Sequence, residues 1–260
     1  MNLAGEERIA AAFAGAGKRA ALMPYLMGGY PDLATSLAVG EECVAAGADL
    51  IELGVPFSDP LADGPVIHAA ATAALARGAT VAGVLEVAAA LSSLVPVIAM
   101  TYVNVVLAPG LERFAERLAD AGVCGLIVPD LPLEEAGPIA AAVAHAGIAL
   151  VPLAAPTTPP ERLAAIGASA RGFLYVVSVT GTTGEREGGP AGAARLLERA
   201  KASTRVPVAL GFGITTPADA VAAADAGADG VIVGSRLVRA AADGPQAVGR
   251  LVEAFARALR

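Results

Sequence analysis

Lysine is almost missing from this 260-residue chain, which carries only Lys18 and Lys201. Each precedes an apolar, strand-like run, so neither is expected at a strand's far end, where chemistry in an alternating fold is done. Schiff-base aldolases and pyridoxal enzymes need a lysine amine at the reacting centre and are therefore disfavoured. Cysteine is equally scarce. Cys43 and Cys124 are too isolated for a disulfide framework or a zinc site, and read as small buried hydrophobes. His68 and His145 have no ligand-spaced neighbours, so a metal enzyme is not expected. Basic runs are also missing, and 18 basic against 25 acidic residues give a net charge of −7. Nucleic acid and anionic membranes are unfavoured partners, although one local site can still bind a small anion. The longest uncharged run, Val87–Leu111, is broken by Ser92-Ser93, Pro96, Asn104 and Pro109, and reads as helix end, strand and loop. No stretch is a continuous apolar span of about 20 residues. The N-terminus lacks a signal peptide's apolar core, so a soluble, cytoplasmic protein is expected.

Apolar residues are plentiful, at 55% of the chain against 17% charged, which is ample for one large buried core. Eight strand candidates follow one another: Leu22–Met27, Leu50–Val55, Val97–Tyr102, Gly125–Pro129, Ala149–Leu153, Phe173–Val177, Val208–Phe212 and Gly230–Val233. Stretches of helical period lie between them, such as Leu111–Ala121 and Glu134–Ala146, and an extra amphipathic helix is predicted over residues 2–14. The phrases Ala46-Gly47, Ala121-Gly122, Ala146-Gly147 and Ala226-Gly227 each stand where a helix ends just before a strand. Near-continuous apolar strands alternating with helices imply parallel strands covered on their outer face. Eight such units predict an α/β fold, a single (β/α)8 TIM barrel spanning residues 1–260. A doubly wound open sheet is the alternative. No change of composition marks a second domain.

Active sites of such barrels gather at the C-terminal ends of the strands, which reduces the chain to a few stretches. After the second strand, Glu52-Leu-Gly-Val-Pro-Phe-Ser-Asp-Pro-Leu-Ala-Asp-Gly-Pro65 concentrates Glu52, Asp59 and Asp63 in an otherwise apolar neighbourhood. A strand interior rejects an unpaired carboxylate, so Glu52 either faces a cleft or is neutralised. Two carboxylates in a partly apolar pocket are driven to different pKa values and divide acid and base roles. Asp63 has a plainer reading, a turn-stabilising side chain before Gly64-Pro65. After the seventh and eighth strands come Gly211-Phe-Gly-Ile214 and Gly234-Ser235, each followed by a helix start. Glycines and helix N-termini in those loops suit a phosphate. The glycine-rich run 178–189 after strand six reads as a lid or as a plain surface loop, and Gly184 as one further N–H donor. With no lysine or metal ligand placed for it, carbon–carbon cleavage or proton transfer falls to carboxylates. Tyr102 and Tyr175 stand nearby, either as chemical groups or as pocket wall.

The motif from Glu52 to Pro65 resembles the signature of the tryptophan synthase alpha chain family. The likeness continues through Tyr102-Val-Asn104, Val128-Pro-Asp-Leu-Pro132, Ala155-Pro-Thr-Thr158, Thr183-Gly184, Gly211–Ile214 and Gly234-Ser235, covering essentially the whole chain. The resemblance implies retro-aldol cleavage of indole-3-glycerol phosphate to indole and glyceraldehyde 3-phosphate. It casts Glu52 as the acid and base, and Asp63 as acceptor of the indole N–H. It places Thr183 on a closing loop, and phosphate on Gly184, Gly213, Gly234 and Ser235. It lines an indole pocket with Met100, Tyr102, Pro129, Leu153, Tyr175, Phe212 and Ile232. It implies no cofactor in this chain, but a pyridoxal-phosphate beta chain as partner in an α2β2 assembly, met through Pro56, Asp59, Asn104 and Pro132. The rivals are a stand-alone lyase releasing free indole, a non-catalytic activating subunit, and another phosphate-binding barrel such as a sugar-phosphate isomerase. The threonine-rich lid and His68 depart modestly from the family pattern.

Overall fold

The first strand shows why the apolar runs are unbroken. In β1 (Ala21–Met27), Ala21, Met23, Tyr25 and Met27 join one buried cluster, while Leu22 and Leu26 join another. The first cluster fills the inside of a barrel and the second lies between its wall and the surrounding helices, so both faces of the strand are dry. The structure, a computed structural model, describes residues 5–177, 190–211 and 213–260. The remaining wall consists of β2 (Ile51–Gly54), β3 (Val97–Met100), β4 (Gly125–Ile127), β5 (segments Ala149–Leu150 and Leu153–Ala154), β6 (Leu174–Val177), β7 (Val208–Gly211) and β8 (Gly230–Val233). All pairings are parallel, and β1 pairs with both β2 and β8.

The fifth strand departs from the expected continuous Ala149–Leu153. It breaks at Val151-Pro152, because proline has no N–H for the ladder. Val151 N–H still donates to Leu126 C=O at 2.9 Å, and Tyr175 N–H to Pro152 C=O at 3.0 Å, so the wall stays joined on both sides. The uncharged run 87–111 resolves as expected into the end of the helix Val81–Ser92 and then β3, but the expected loop after it carries a short helix, Val103–Leu107. Cys43 and Cys124 are both buried and free. Among the described residues, no single helix is long and apolar enough to cross a membrane. One bent pair, Pro65–Ala76 with Val81–Ser92, passes by length and composition only, and its Ala70, Ala74, Val84 and Leu91 are buried within the fold.

The N-terminal helix, Gly5–Gly15, closes the bottom of the barrel. Ile9 is fully buried, and glycine in the facing strands makes room for the plug. A Cβ at Gly125 would stand 3.3 Å from Ile9 Cδ1, and one at Gly230 only 2.7 Å from the Phe13 ring. Phe13 also packs on Phe173, centroids 5.7 Å apart, and Phe173 on Tyr175 at 6.3 Å, a column of rings running toward the mouth.

The four Ala-Gly phrases share a second property at this end. Every one of their glycine carbonyls is capped. Lys18 Nζ donates to Gly47 C=O at 2.9 Å, an Arg8 guanidinium nitrogen to Gly122 C=O at 3.0 Å, Gly5 N–H to Gly147 C=O at 2.8 Å and Lys201 Nζ to Gly227 C=O at 3.1 Å. The two lysines complete a repeated device. Lys18 pairs with Asp49 at 2.7 Å and Lys201 with Asp229 at 2.7 Å, each aspartate ending an Ala-Gly-Ala-Asp run. Asp49 in turn accepts from Leu22 N–H at 2.7 Å, and Asp229 from Val208 N–H at 2.9 Å. Both lysines are thereby committed at the closed end.

Candidate active site

At the opposite end, Glu52 sits on β2 in ladder register with Tyr25 and Ile98. It is fully buried, and among the described residues neither carboxylate oxygen has a hydrogen-bond partner. Burial favours the neutral carboxyl, and the nearby charge of Asp63 adds to the effect, so the pKa is pushed up to about 8. Glu52 is therefore mostly a protonated acid at neutral pH.

The chain leaves β2 through Pro56, which is buried, and returns over the mouth at Ala62-Asp63 before Pro65 starts the next helix. Two contacts to Tyr102 hold this loop down, and a turn within it brings Asp63 back over the mouth. The Phe57 ring stacks on Tyr102, with centroids 5.2 Å apart and planes 24° from parallel. Ala62 N–H donates to the Tyr102 hydroxyl at 3.0 Å, and Asp63 N–H to Pro60 C=O at 3.1 Å. The Tyr102 hydroxyl also donates toward the Asp63 carboxyl. Burial lifts Asp63 to about 6, against the downward pull of Tyr102 and of His68. The turn-residue reading of Asp63 is thus incomplete, because its side chain belongs to the mouth. Two carboxyls of ordinary type are separated into one neutral and one ionised near pH 7, the arrangement expected of acid–base work. Tyr102 is the stronger of the two groups that favour the ionised Asp63, and His68 adds to it.

The expected pocket wall divides by depth. Tyr102, Tyr175 and Ile232 are buried, whereas Met100, Pro129 and Leu153 are half-exposed on the rim. Those three line a cavity of about 1000 Å³ that continues outward between the helices Ala136–His145 and Pro160–Ser169. Glu52 is not among its walls; the acid lies deeper in the barrel. Sequence reasoning missed Tyr25, whose inward position in β1 puts a polar tip in this buried space. The visible signal was a hydroxyl-bearing residue in an otherwise apolar strand. It also missed Thr101, whose buried hydroxyl has no hydrogen-bond partner among the described residues.

Across the mouth, β7 and β8 lead into two helix starts. Gly213 is exposed with φ +79°, a left-handed backbone that suits glycine. Thr216 then caps the helix Pro217–Asp225 in a reciprocal box with Asp219. Gly234 is the N-cap of the helix Ser235–Ala241 and so offers no side-chain cap, and Ser235, the first helical residue, is exposed. Thr183, Gly184 and Phe212 lie outside the described residues. Of the expected partner contacts, Asp59, Asn104 and Pro132 are exposed around the rim while Pro56 is tucked beneath it. Leu61, 92% exposed, and Leu107, 51% exposed, add apolar surface near them that the sequence reading had not picked out. Among the described residues, no three His, Cys, Asp or Glu side chains cluster as metal ligands would.

A profile described as tryptophan synthase alpha chain matches residues 12–258. The chain belongs to the tryptophan synthase alpha chain family. It is 51% identical over 245 residues to the tryptophan synthase alpha chain of Prochlorococcus marinus, covering 93% of this chain and 89% of that one. It is 47% identical to that of Gloeobacter violaceus, covering 100% and 96% of the two. Among solved structures, one of tryptophan synthase from M. tuberculosis, in an aminoacrylate- and BRD0059-bound form, aligns with a TM-score of 0.89 at 40% identity, covering 97% and 98%. The tryptophan synthase subunit alpha of Legionella pneumophila aligns at 0.88 and 33% identity, covering 99% of each. Membership of the tryptophan synthase alpha chain family accounts for the eight-stranded barrel and for the motif that carries Glu52 and Asp63.

Proposed function

We propose that this alpha chain cleaves indole-3-glycerol phosphate by a retro-aldol reaction in which Glu52 is the acid and base. The observation that carries the assignment is a fully buried carboxyl with no hydrogen-bond partner among the described residues, raised to about 8, beside a second carboxyl raised only to about 6. Neutral Glu52 gives its proton to the indole carbon that bears the glycerol chain, turning the ring into an indolenine-type cation. Asp63, ionised, accepts the ring N–H and stabilises that cation. The Glu52 carboxylate then removes the proton of the adjacent glycerol hydroxyl. The carbon–carbon bond breaks, its electron pair returns to the ring, and indole and an aldehyde result with Glu52 protonated again. One proton has moved from oxygen to carbon, and no cofactor is called for in this chain.

The phosphate is assigned to Gly213, Gly234 and Ser235, with Gly184 and the closing-loop residue Thr183 contributing from beyond the described residues. The apolar rim of Met100, Pro129 and Leu153, with Tyr102, Tyr175, Ile232 and Phe212, is assigned to the indole. Indole passes to a beta chain carrying pyridoxal phosphate, in an α2β2 assembly met through Pro56, Asp59, Asn104 and Pro132. The exposed Leu61 and Leu107 on that rim favour a covering partner. We assign residues 1–260 to one domain and place the protein in the cytoplasm. Purified alone, the chain is expected to form indole slowly and to accelerate when beta chain is added. Full-rate indole release alone would instead favour a stand-alone lyase. Ser235→Asp is expected to weaken substrate affinity by about tenfold or more through like-charge repulsion, and unchanged affinity would place the phosphate elsewhere.

A further inference from the structure

A buried acid that releases its proton becomes a buried anion and needs a donor at that moment. Among the described residues Glu52 has none, and the adjacent strand β1 carries a hydroxyl on the inward face. Tyr25 is the direct ladder partner of Glu52, and its ring leans along β2 toward the mouth. A Cβ at Gly54 would lie 2.2 Å from the Tyr25 hydroxyl oxygen and 2.8 Å from Cζ. The phenol thus takes the space of an inward side chain at position 54, on the same row as Glu52 and one step nearer the mouth. Gly54 is glycine because that hydroxyl is there. The base of the Tyr25 ring, in turn, stands 3.7 to 3.9 Å from where a Cβ at Gly234 would be. Tyr25 therefore forms the wall between the acid and the phosphate loop. Among the described residues its hydroxyl makes no hydrogen bond, so the proton is free to be given.

We propose that Tyr25 is a positioning residue for Glu52, its hydroxyl donating a hydrogen bond to the Glu52 carboxylate in the half of the cycle when that carboxylate is ionised. The phenol is suited to this because it stays protonated. Burial and the charges of Asp63 and Glu52 hold its pKa well above the ordinary value. The other groups facing Glu52 are engaged or more remote in register. Asp63, from the loop after β2, is acceptor rather than donor when ionised. Tyr102, after β3, is turned to Ala62 and Asp63, and His68 acts on Asp63. Tyr175, on β6, senses Glu52, but its hydroxyl sits over Gly211 on β7, where a Cβ would be 2.3 Å away.

The proposal rests on Glu52 being the acid and base, and its test separates failure of the two. Tyr25→Phe removes one oxygen and leaves the ring, so the barrel should fold unchanged. The whole protein labelled with 13C at glutamate carboxyls gives the Glu52 titration without substrate, its signal being the one lost in Glu52→Gln. A lost donor to the anion raises the carboxyl pKa, so Tyr25→Phe should shift Glu52 upward by about one unit. The same variant should lower kcat by roughly tenfold and move KM by less than about twofold, because the bond exists only once charge has developed. An unmoved Glu52 titration in Tyr25→Phe overturns the proposal, as does a shift seen in Tyr175→Phe and not in Tyr25→Phe.

Discussion

The two ends of this barrel treat charge in opposite ways. At the bottom, Asp49 and Asp229 each hold a lysine and a backbone N–H, and the glycine carbonyls beside them are capped as well. At the mouth, Glu52 is more deeply buried than either aspartate and has no hydrogen-bond partner among the described residues. Neutralised, well-bonded charge makes a rigid base, while an unbonded carboxyl is a local destabilisation held in place by the rest of the fold. The difference locates the work: the closed end maintains the shape, and the open end keeps a proton ready.

The largest expected effect breaks the contrast at the mouth. Glu52→Gln keeps the volume and removes the transferable proton, so indole formation should fall by about a thousandfold or more while substrate still binds. Stability should move the other way. The folded pKa of Glu52, about 8, lies above the ordinary 4.5, so the folded state holds the proton more tightly than the unfolded one. Wild-type stability is therefore lost as pH rises from about 4.5 through 8, by on the order of 4 kcal/mol for a group this buried. Gln has no such dependence, and thermal melts at pH 5 and pH 8.5 should show the variant gaining on wild type at the higher pH. A constant difference between the two would mean that Glu52 is not strained.

The closed end can be broken too, with a smaller effect and the opposite sign. Lys18 and Asp49 have side chains only 7% and 13% exposed, so Lys18→Ala strands a nearly buried aspartate and should cost about 3 kcal/mol in denaturant unfolding. Lys201 and Asp229 form the same device at 44% and 36% exposure, where Lys201→Ala should cost about 0.5 kcal/mol. Neither change should alter kcat in the folded fraction. Equal costs for the two lysines would show that the device, rather than its burial, sets the energy.

Much of this division was legible beforehand, for physical reasons particular to each residue. Eight apolar runs with a helix-ending glycine before four of them left few folds open, and a carboxylate closing one run had to be either paired or functional. Val151-Pro152 was not read as a break, because the apolar pattern continues through it while the missing N–H interrupts the ladder. The lysine–aspartate pairs span 31 and 28 residues of sequence, so only the closed barrel brings them together. Tyr25 was passed over because an inward tyrosine in an apolar strand looks like core. Its role emerges only when Gly54 on the neighbouring strand is seen to leave room for the hydroxyl. The individual roles of Glu52 and Asp63 came from family resemblance, since geometry separates their pKa values without saying which atoms they touch.

The pH dependence of kcat/KM for indole formation tests the central claim most directly, since it reports the free enzyme's groups. Its acid limb, near 6, is shared between Asp63 and the substrate's own phosphate, so the alkaline limb decides. If a protonated Glu52 starts the reaction, activity should fall tenfold per pH unit above an apparent pKa near 8. A rate that stays level to pH 10 would mean that Glu52 is ionised throughout and that the proton comes from elsewhere.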